Sequence, residues 1–145
     1  FDITFFFQGA ALADFYYNGY LAFPYIEGRG GALLEHHIGN TWTPENPKAE
    51  FPRLYYGGNA NNQLFSSFWM RNGSYLRLKN VEIGYDFKKL LFSKVSEIQG
   101  LRLYFSGSNL LTWSQIKYFD PELRSTDGSA YPQMKTFVFG ANITF

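Results

Sequence analysis

Apolar and polar residues alternate with a period of two along four stretches of the chain, the spacing that sends successive side chains to opposite faces of a β-strand. Over residues 1–10, Phe1, Ile3, Phe5 and Phe7 share one face and Asp2, Thr4 and Gln8 the other, with Phe6 as the exception. Over 75–87, Val81, Ile83, Tyr85 and Phe87 oppose Glu82, Gly84 and Asp86. Over 101–111, Leu101, Leu103 and Phe105 oppose Arg102, Tyr104 and Ser106. Over 136–145, Phe137, Phe139, Ala141, Ile143 and Phe145 oppose Thr136, Gly140, Asn142 and Thr144. The pattern predicts four β-strands and an all-β fold.

Each stretch reaches or slightly exceeds the roughly 9–11 residues that a tilted membrane-crossing strand requires. Their charges, Asp2, Glu82, Asp86 and Arg102, all fall on the polar face. That matters physically, because Lys or Arg on a lipid-facing surface costs roughly 2–4 kcal/mol at mid-membrane. One stretch changes phase: Leu76 and Leu78 are even-numbered, whereas Val81, Ile83 and Tyr85 are odd. A bulge near Lys79 and Asn80 would rotate the faces there. Alternatively, the first half of that strand stands above the membrane and obeys no lipid-facing rule, which is the reading preferred here.

The connections are unequal. Residues 11–73 are very long and rich in Gly, Pro, Asn and aromatics; residues 88–100 are short, with Leu90, Leu91 and Val95 hinting at a helical turn; residues 113–133 are intermediate. Outer-membrane barrels have short periplasmic turns and longer extracellular loops. Placing 88–100 in the periplasm puts both longer connections outside and Phe145 at the periplasmic rim. Four strands cannot close, since bacterial barrels have at least about eight, and an open sheet in lipid leaves unpaired backbone at its edges. Residues 1–145 are therefore expected to be the C-terminal antiparallel strands of a large transmembrane β-barrel with long extracellular loops. No internal repeat, low-complexity tract or linker divides them.

Composition agrees. Aromatic residues make up 21% of the chain and charged residues only 17%, against about 25% charged in an ordinary soluble domain. A net charge of +1 offers nucleic acid no electrostatic footprint. The absence of cysteine excludes disulfide frameworks and thiolate metal sites. A mean hydropathy of −0.24 and the lack of a long apolar run rule out a membrane-spanning helix. A barrel tolerates such values, because only alternate residues face lipid. The chain starts at Phe1 without an initiator Met or signal peptide, so processing or truncation is expected to have removed the beginning.

The terminal stretch carries the strongest signal. A final Phe preceded by apolar residues at every second position (Phe137, Phe139, Ala141, Ile143, Phe145) is the pattern by which the barrel-assembly machinery reads outer-membrane proteins. The last strand of a soluble sheet would alternate similarly. Candidate chemistry is otherwise weak. His36 and His37 are adjacent, point in different directions and lack a spaced third ligand, so a solvated loop pair is expected rather than a metal site. Asp120 with Glu122, or Glu45 with Glu50, could be imagined as a glycosidase acid and base. Asp120-Pro121, and Pro44 with Pro47, look instead like turn chemistry. Serines lack a nucleophile elbow. Gly28, Gly30 and Gly31 around Arg29 lack the flanking strand and helix of a phosphate loop. No catalytic, cofactor-binding or metal-binding residue is assigned.

The long connection is crowded with Tyr16, Tyr17, Tyr20, Phe23, Tyr25, Trp42, Tyr55, Tyr56, Phe68 and Trp69. Such rings could stack on sugars or anchor a partner, with Trp42, Tyr55, Tyr56 and Trp69 the candidate contacts. More simply, they pack the loop against itself or form an interfacial girdle.

Several motifs, in order, resemble the SusC/RagA family of TonB-linked outer-membrane transporters. SYLRLKNVEIGYDF at 74–87 is similar to a segment near the family's end. LRLYFSGSNLLTWS at 101–114 resembles its penultimate strand, with Asn109-Leu110 the most characteristic pair. YFDPEL at 118–123, followed by Tyr131-Pro132, resembles the last loop, and FVFGANITF at 137–145 the terminal strand. NTWTPENP at 40–47, with Pro52-Arg53, also resembles this family. The likeness covers about residues 40–145; the first 39 match only as a strand and loop, and no plug or TonB-contacting segment is among these residues.

The resemblance implies a plugged barrel of about 22 strands that imports nutrients such as oligosaccharides or peptides through the outer membrane. It implies a TonB complex acting through an N-terminal region absent from this chain, and a SusD-like surface lipoprotein over the extracellular face. The long loop would meet that lipoprotein or the substrate. No catalytic residue is carried over. The alternative is a soluble or surface β-sandwich that binds carbohydrate through exposed aromatics, which leaves the motif order and terminal Phe unexplained.

Overall fold

A computed structural model of the chain describes residues 1–25, 33–87, 99–123 and 130–145. Its elements are β1 (Asp2–Ala10), β2 (Asp14–Tyr16), a single helical turn α1 (Gly19–Ala22), β3 (Met70–Asn72), β4 (Tyr75–Asp86), β5 (Gly100–Ser114) and β6 (Thr136–Thr144). The chain divides into two compact units, one of residues 1–10, 75–114 and 133–145, the other of residues 11–74 and 115–132. The helical turn expected around Leu90, Leu91 and Val95, and the glycines around Arg29, lie outside the described residues.

In the first unit, β1, β4, β5 and β6 form one antiparallel sheet in that order. Directly paired residues point to the same face, so the register tests the alternation read from sequence. Ile3, Ile83, Phe105 and Phe139 line up across all four strands, and Phe5, Val81, Gly107 and Phe137 form the next row. On the opposite face, Asp2, Gly84, Tyr104 and Gly140 align, as do Thr4, Glu82, Ser106 and Val138. The four strands thus share one apolar face.

The change of phase in β4 is a bulge, which overturns the preferred reading that its first half merely leaves the membrane. Phe6 and Phe7 are consecutive partners on β1, while Lys79 is interposed on β4, and Asn109 and Leu110 on β5. The extra residue at Lys79 rotates the alternation by one position. Phe7, Leu78 and Leu111 therefore rejoin the apolar face, followed by Leu76 and Trp113. The same bulge explains Asn109-Leu110. Asn109 takes a left-handed conformation (φ 54°), which Asn tolerates better than most residues, and its Nδ2 donates to the Met134 carbonyl at 3.1 Å. Leu110 folds over Gly107, where a Cβ would come within 2.8 Å of Leu110 Cδ2.

The polar face is knit by charge. Arg102 Nη2 donates to Asp2 Oδ2 at 2.7 Å and to Glu82 Oε1 at 2.8 Å, tying three strands together. Gly84 makes room for that guanidinium, since a Cβ there would lie 2.8 Å from both Arg102 Cζ and Asp2 Oδ1. Tyr104 covers Gly140 in the same way. Nearer the other end, the buried Arg77 donates from Nε to Thr112 Oγ1 at 2.9 Å and from Nη1 to Gln133 Oε1 at 2.7 Å.

Candidate functional site

The sheet presents the first functional surface. Its apolar face is bare among the described residues: Phe139 is 83% exposed and Phe137 61%. Ile3, Phe5, Phe7, Leu76, Leu103, Leu111, Trp113 and Ile143 are exposed as well. A soluble monomer rarely leaves so large a contiguous apolar patch open to water. A β-sandwich would bury it beneath a second sheet, and among the described residues no such sheet exists. The outer edges of β1 and β6 pair with no other strand among the described residues. Every member of the candidate assembly signal on β6 (Phe137, Phe139, Ala141, Ile143) faces the same way, opposite Gly107, Phe105, Leu103 and Leu101. Phe145, just beyond β6, is exposed.

The second unit is built from the two longer connections, and it has a core of its own. β2 pairs with β3, and Tyr17 N donates to the Trp69 carbonyl at 2.9 Å. Asn18 starts α1 by accepting from Gly19 N at 2.7 Å, which places Leu21 and Ala22 inward. Tyr17, Ala22, Phe51 and Trp69 form the buried cluster, with Phe15, Tyr16, Phe23 and Phe119 packed against it. Ring centroids lie 4.9 Å apart for Phe23–Trp69 and 4.5 Å for Phe15–Phe119, so the later connection supplies part of the core of the earlier one.

Glu50 is the polar hub. Its Oε1 accepts from Arg71 Nε at 3.2 Å, and its Oε2 accepts from Asn40 Nδ2 and from the Tyr118 hydroxyl, both at 3.3 Å. Arg71 Cζ sits 4.9 Å from the Tyr17 ring centroid and its Nη1 donates to the Phe68 carbonyl at 2.6 Å. These partners make Glu50 a structural anion rather than half of a catalytic pair. Burial, then the nearby Glu50 carboxylate, push the Tyr17 hydroxyl up to about 12. Asp120 Oδ1 accepts from Glu122 N at 3.0 Å, the turn geometry expected of Asp-Pro.

The histidines are not a solvated pair. His37 is 1% exposed, its ring is 4.7 Å from Phe51, and the Nε2 atoms of His36 and His37 lie 3.0 and 3.2 Å from the single carbonyl of Leu21. Adjacent residues converge because a 3-10 turn over Glu35–His37 bends the backbone. Burial, then the neighbouring His36, lower the His37 pKa from 6.5 to about 4, against the raising effect of the Leu21 carbonyl. A base with a depressed folded-state pKa binds fewer protons folded than unfolded. The stability this contributes is complete above about pH 6.5 and is lost as the pH falls towards 4, a total of roughly 3 kcal/mol. We expect the second unit to become protease-sensitive across that window in the folded protein, and His37→Phe to flatten the profile. An unchanged profile in His37→Phe would assign the acid sensitivity elsewhere.

Of the four candidate contact residues, the structure separates one from the rest. Trp69 is 1% exposed and donates from Nε1 to the Asn62 carbonyl at 2.9 Å, so it belongs to the core while one edge of it also lines the groove described next. Trp42 is 38% exposed and Tyr55 44%; with Phe68 they border an open groove of about 830 Å³. Tyr56 is almost fully exposed but lies outside the lining of that groove. Sequence reading noted Arg53 only within the Pro52-Arg53 pair of the family resemblance, and missed it, with Asn61 and Asn62, as groove residues.

No family model matches the chain. TonB-dependent receptor P3 of Formosa agariphila is 30% identical over 159 residues, covering 100% of this chain and 15% of that protein. TonB-dependent receptor SusC of Bacteroides thetaiotaomicron is 28% identical over 129 residues, covering 88% of this chain and 13% of its own length. Among solved structures, the RagAB peptide transporter matches with a TM-score of 0.71 and 27% identity over 99% of this chain and 16% of that one. The closed-closed state of the RagAB peptide importer gives a TM-score of 0.74, at 28% identity over 99% and 15%. The chain thus spans about 15% of the length of the first of these relatives. They are receptors and transporters, not enzymes.

Proposed function

Because this chain belongs, from end to end, with the SusC/RagA-type TonB-dependent receptors, we propose that it forms part of the barrel wall and outer loops of an outer-membrane nutrient importer. The observation that carries this reading is the sheet itself: a bare apolar face, an opposite face held by the Asp2–Arg102–Glu82 ion pairs, and two open edges. In lipid the bare face is solvated by acyl chains, and the open edges require neighbouring strands of the same barrel.

On this reading the imported solutes are oligosaccharides or peptides, and a SusD-like lipoprotein closes over the second unit. The TonB complex acts through parts of the protein other than these residues. The apolar side chains of β6 and Phe145 serve as the signal read by the barrel-assembly machinery. These residues move no electrons and cleave no bonds; their work is to exclude lipid from the lumen and to hold the loop unit.

The test is the intact mass and location of the native gene product. A heat-modifiable species several times heavier than 16.7 kDa in the outer-membrane fraction, co-purifying with a surface lipoprotein, is expected. A mature 16.7 kDa product in the soluble fraction would overturn the importer reading.

A further inference from the structure

The groove of the second unit differs in chemistry from the core beneath it. Its volume of about 830 Å³ falls within the roughly 300–1,000 Å³ of ligand clefts. Trp42, Tyr55 and Phe68 supply exposed aromatic faces along it. Arg53, Asn61 and Asn62 also line it, and their side-chain polar groups make no hydrogen bond to the described residues. Arg53 is exposed and lies 5.9 Å from the Tyr55 ring centroid. No Asp or Glu is among the lining residues. The groove is therefore rich in unspent donors, carries one fixed positive charge, and has flat apolar surfaces beside it.

We infer that this groove captures an acidic oligosaccharide, one whose sugar rings lie on Trp42 and Tyr55 while a uronate carboxylate meets Arg53. The argument runs from complementarity. Sugars offer flat C–H faces to aromatic rings and hydroxyls to amide side chains, and a guanidinium holds a carboxylate with paired hydrogen bonds. One common mode of recognising an extended peptide adds it to a strand edge. Residues 52–66, which form most of the groove, contain turns and no strand, so there is no edge for a peptide to extend. The inference rests on the importer reading, and it names the class of solute that the loop unit first meets.

The experiment uses the full-length protein that carries this chain, purified in detergent, with hexagalacturonate, maltohexaose and a neutral hexapeptide as probes in calorimetric titrations. Hexagalacturonate should bind in a salt-sensitive manner. Arg53→Gln should weaken it about tenfold, the loss expected for one hydrogen bond to a charged group. Arg53→Lys, which keeps the charge, should lose less, and Trp42→Ala should weaken every saccharide that binds. Both arginine variants should keep heat modifiability, because Arg53 is exposed. Absence of hexagalacturonate binding, equal affinity for maltohexaose, preference for the hexapeptide, or indifference to Arg53→Gln would each overturn the inference. Failure of the importer reading is separately visible: binding would persist while cellular uptake showed no dependence on TonB.

Discussion

Phe139→Arg in the intact protein should block barrel assembly, while Thr144→Arg on the same strand should be tolerated. Phe139 is 83% exposed, mid-strand, and in register with Phe105, Ile83 and Ile3 on the apolar face. Placing a guanidinium there costs roughly 2–4 kcal/mol at the bilayer midplane and about 0–1 near the interface. It also removes the ring packed 4.8 Å from Phe105. Thr144 pairs with Gly100 on the opposite face, where charge is already accommodated by Arg102. Ile143→Arg should fall between the two, being on the apolar face but close to the strand end. Heat modifiability and surface protease access read the outcome directly. If Phe139→Arg and Thr144→Arg fail equally, the assignment of faces is wrong.

Trp69→Ala should unfold the second unit and leave the sheet standing. Trp69 is 1% exposed, contacts Phe23 and Phe68 with centroids 4.9 Å away in each case, and donates from its indole to Asn62. Large-to-small changes of a buried Trp cost about 3–5 kcal/mol, a large share of the roughly 5–15 kcal/mol that holds a typical domain. The expected signature is proteolytic nicking within residues 11–74 while the detergent-solubilised protein keeps its heat-modifiable mobility. Trp69→Phe should restore part of the resistance. A Trp69→Ala protein that stays resistant yet loses saccharide binding would return Trp69 to the list of contact residues and remove it from the core.

How much was legible can be judged strand by strand. The faces of β1, β5 and β6 follow from alternation, because period-two patterning is a local consequence of strand geometry. The ordered motifs identified the family for the same reason: they are short and contiguous. The phase break at Lys79 was visible, but choosing between a bulge and an exit from the membrane needed the partner strands, since a bulge is defined by what stands opposite it. An isolated Gly84 inside a strand pattern was a usable hint of close approach. Its meaning, room for Arg102 to reach Asp2 and Glu82, depends on contacts across the sheet.

The long connection was the least legible. Its aromatic content was read as self-packing or an interfacial girdle in preference to contact with a solute. Tyr17, Phe51 and Trp69 do pack on one another, yet nothing local separated Trp69, which is buried, from Trp42, which is not. Nor did the His36-His37 dipeptide announce burial, because that arises from α1 and Phe51, both distant in sequence. By itself, then, the amino-acid sequence determined the strands, their apolar and polar faces, and the family. Tertiary structure alone decided which loop residues form a core, which border a groove, and where Glu50 and Arg71 spend their charges. Alternation and motifs are written between neighbours along the chain, whereas burial and charge pairing are settled by residues that only folding brings together.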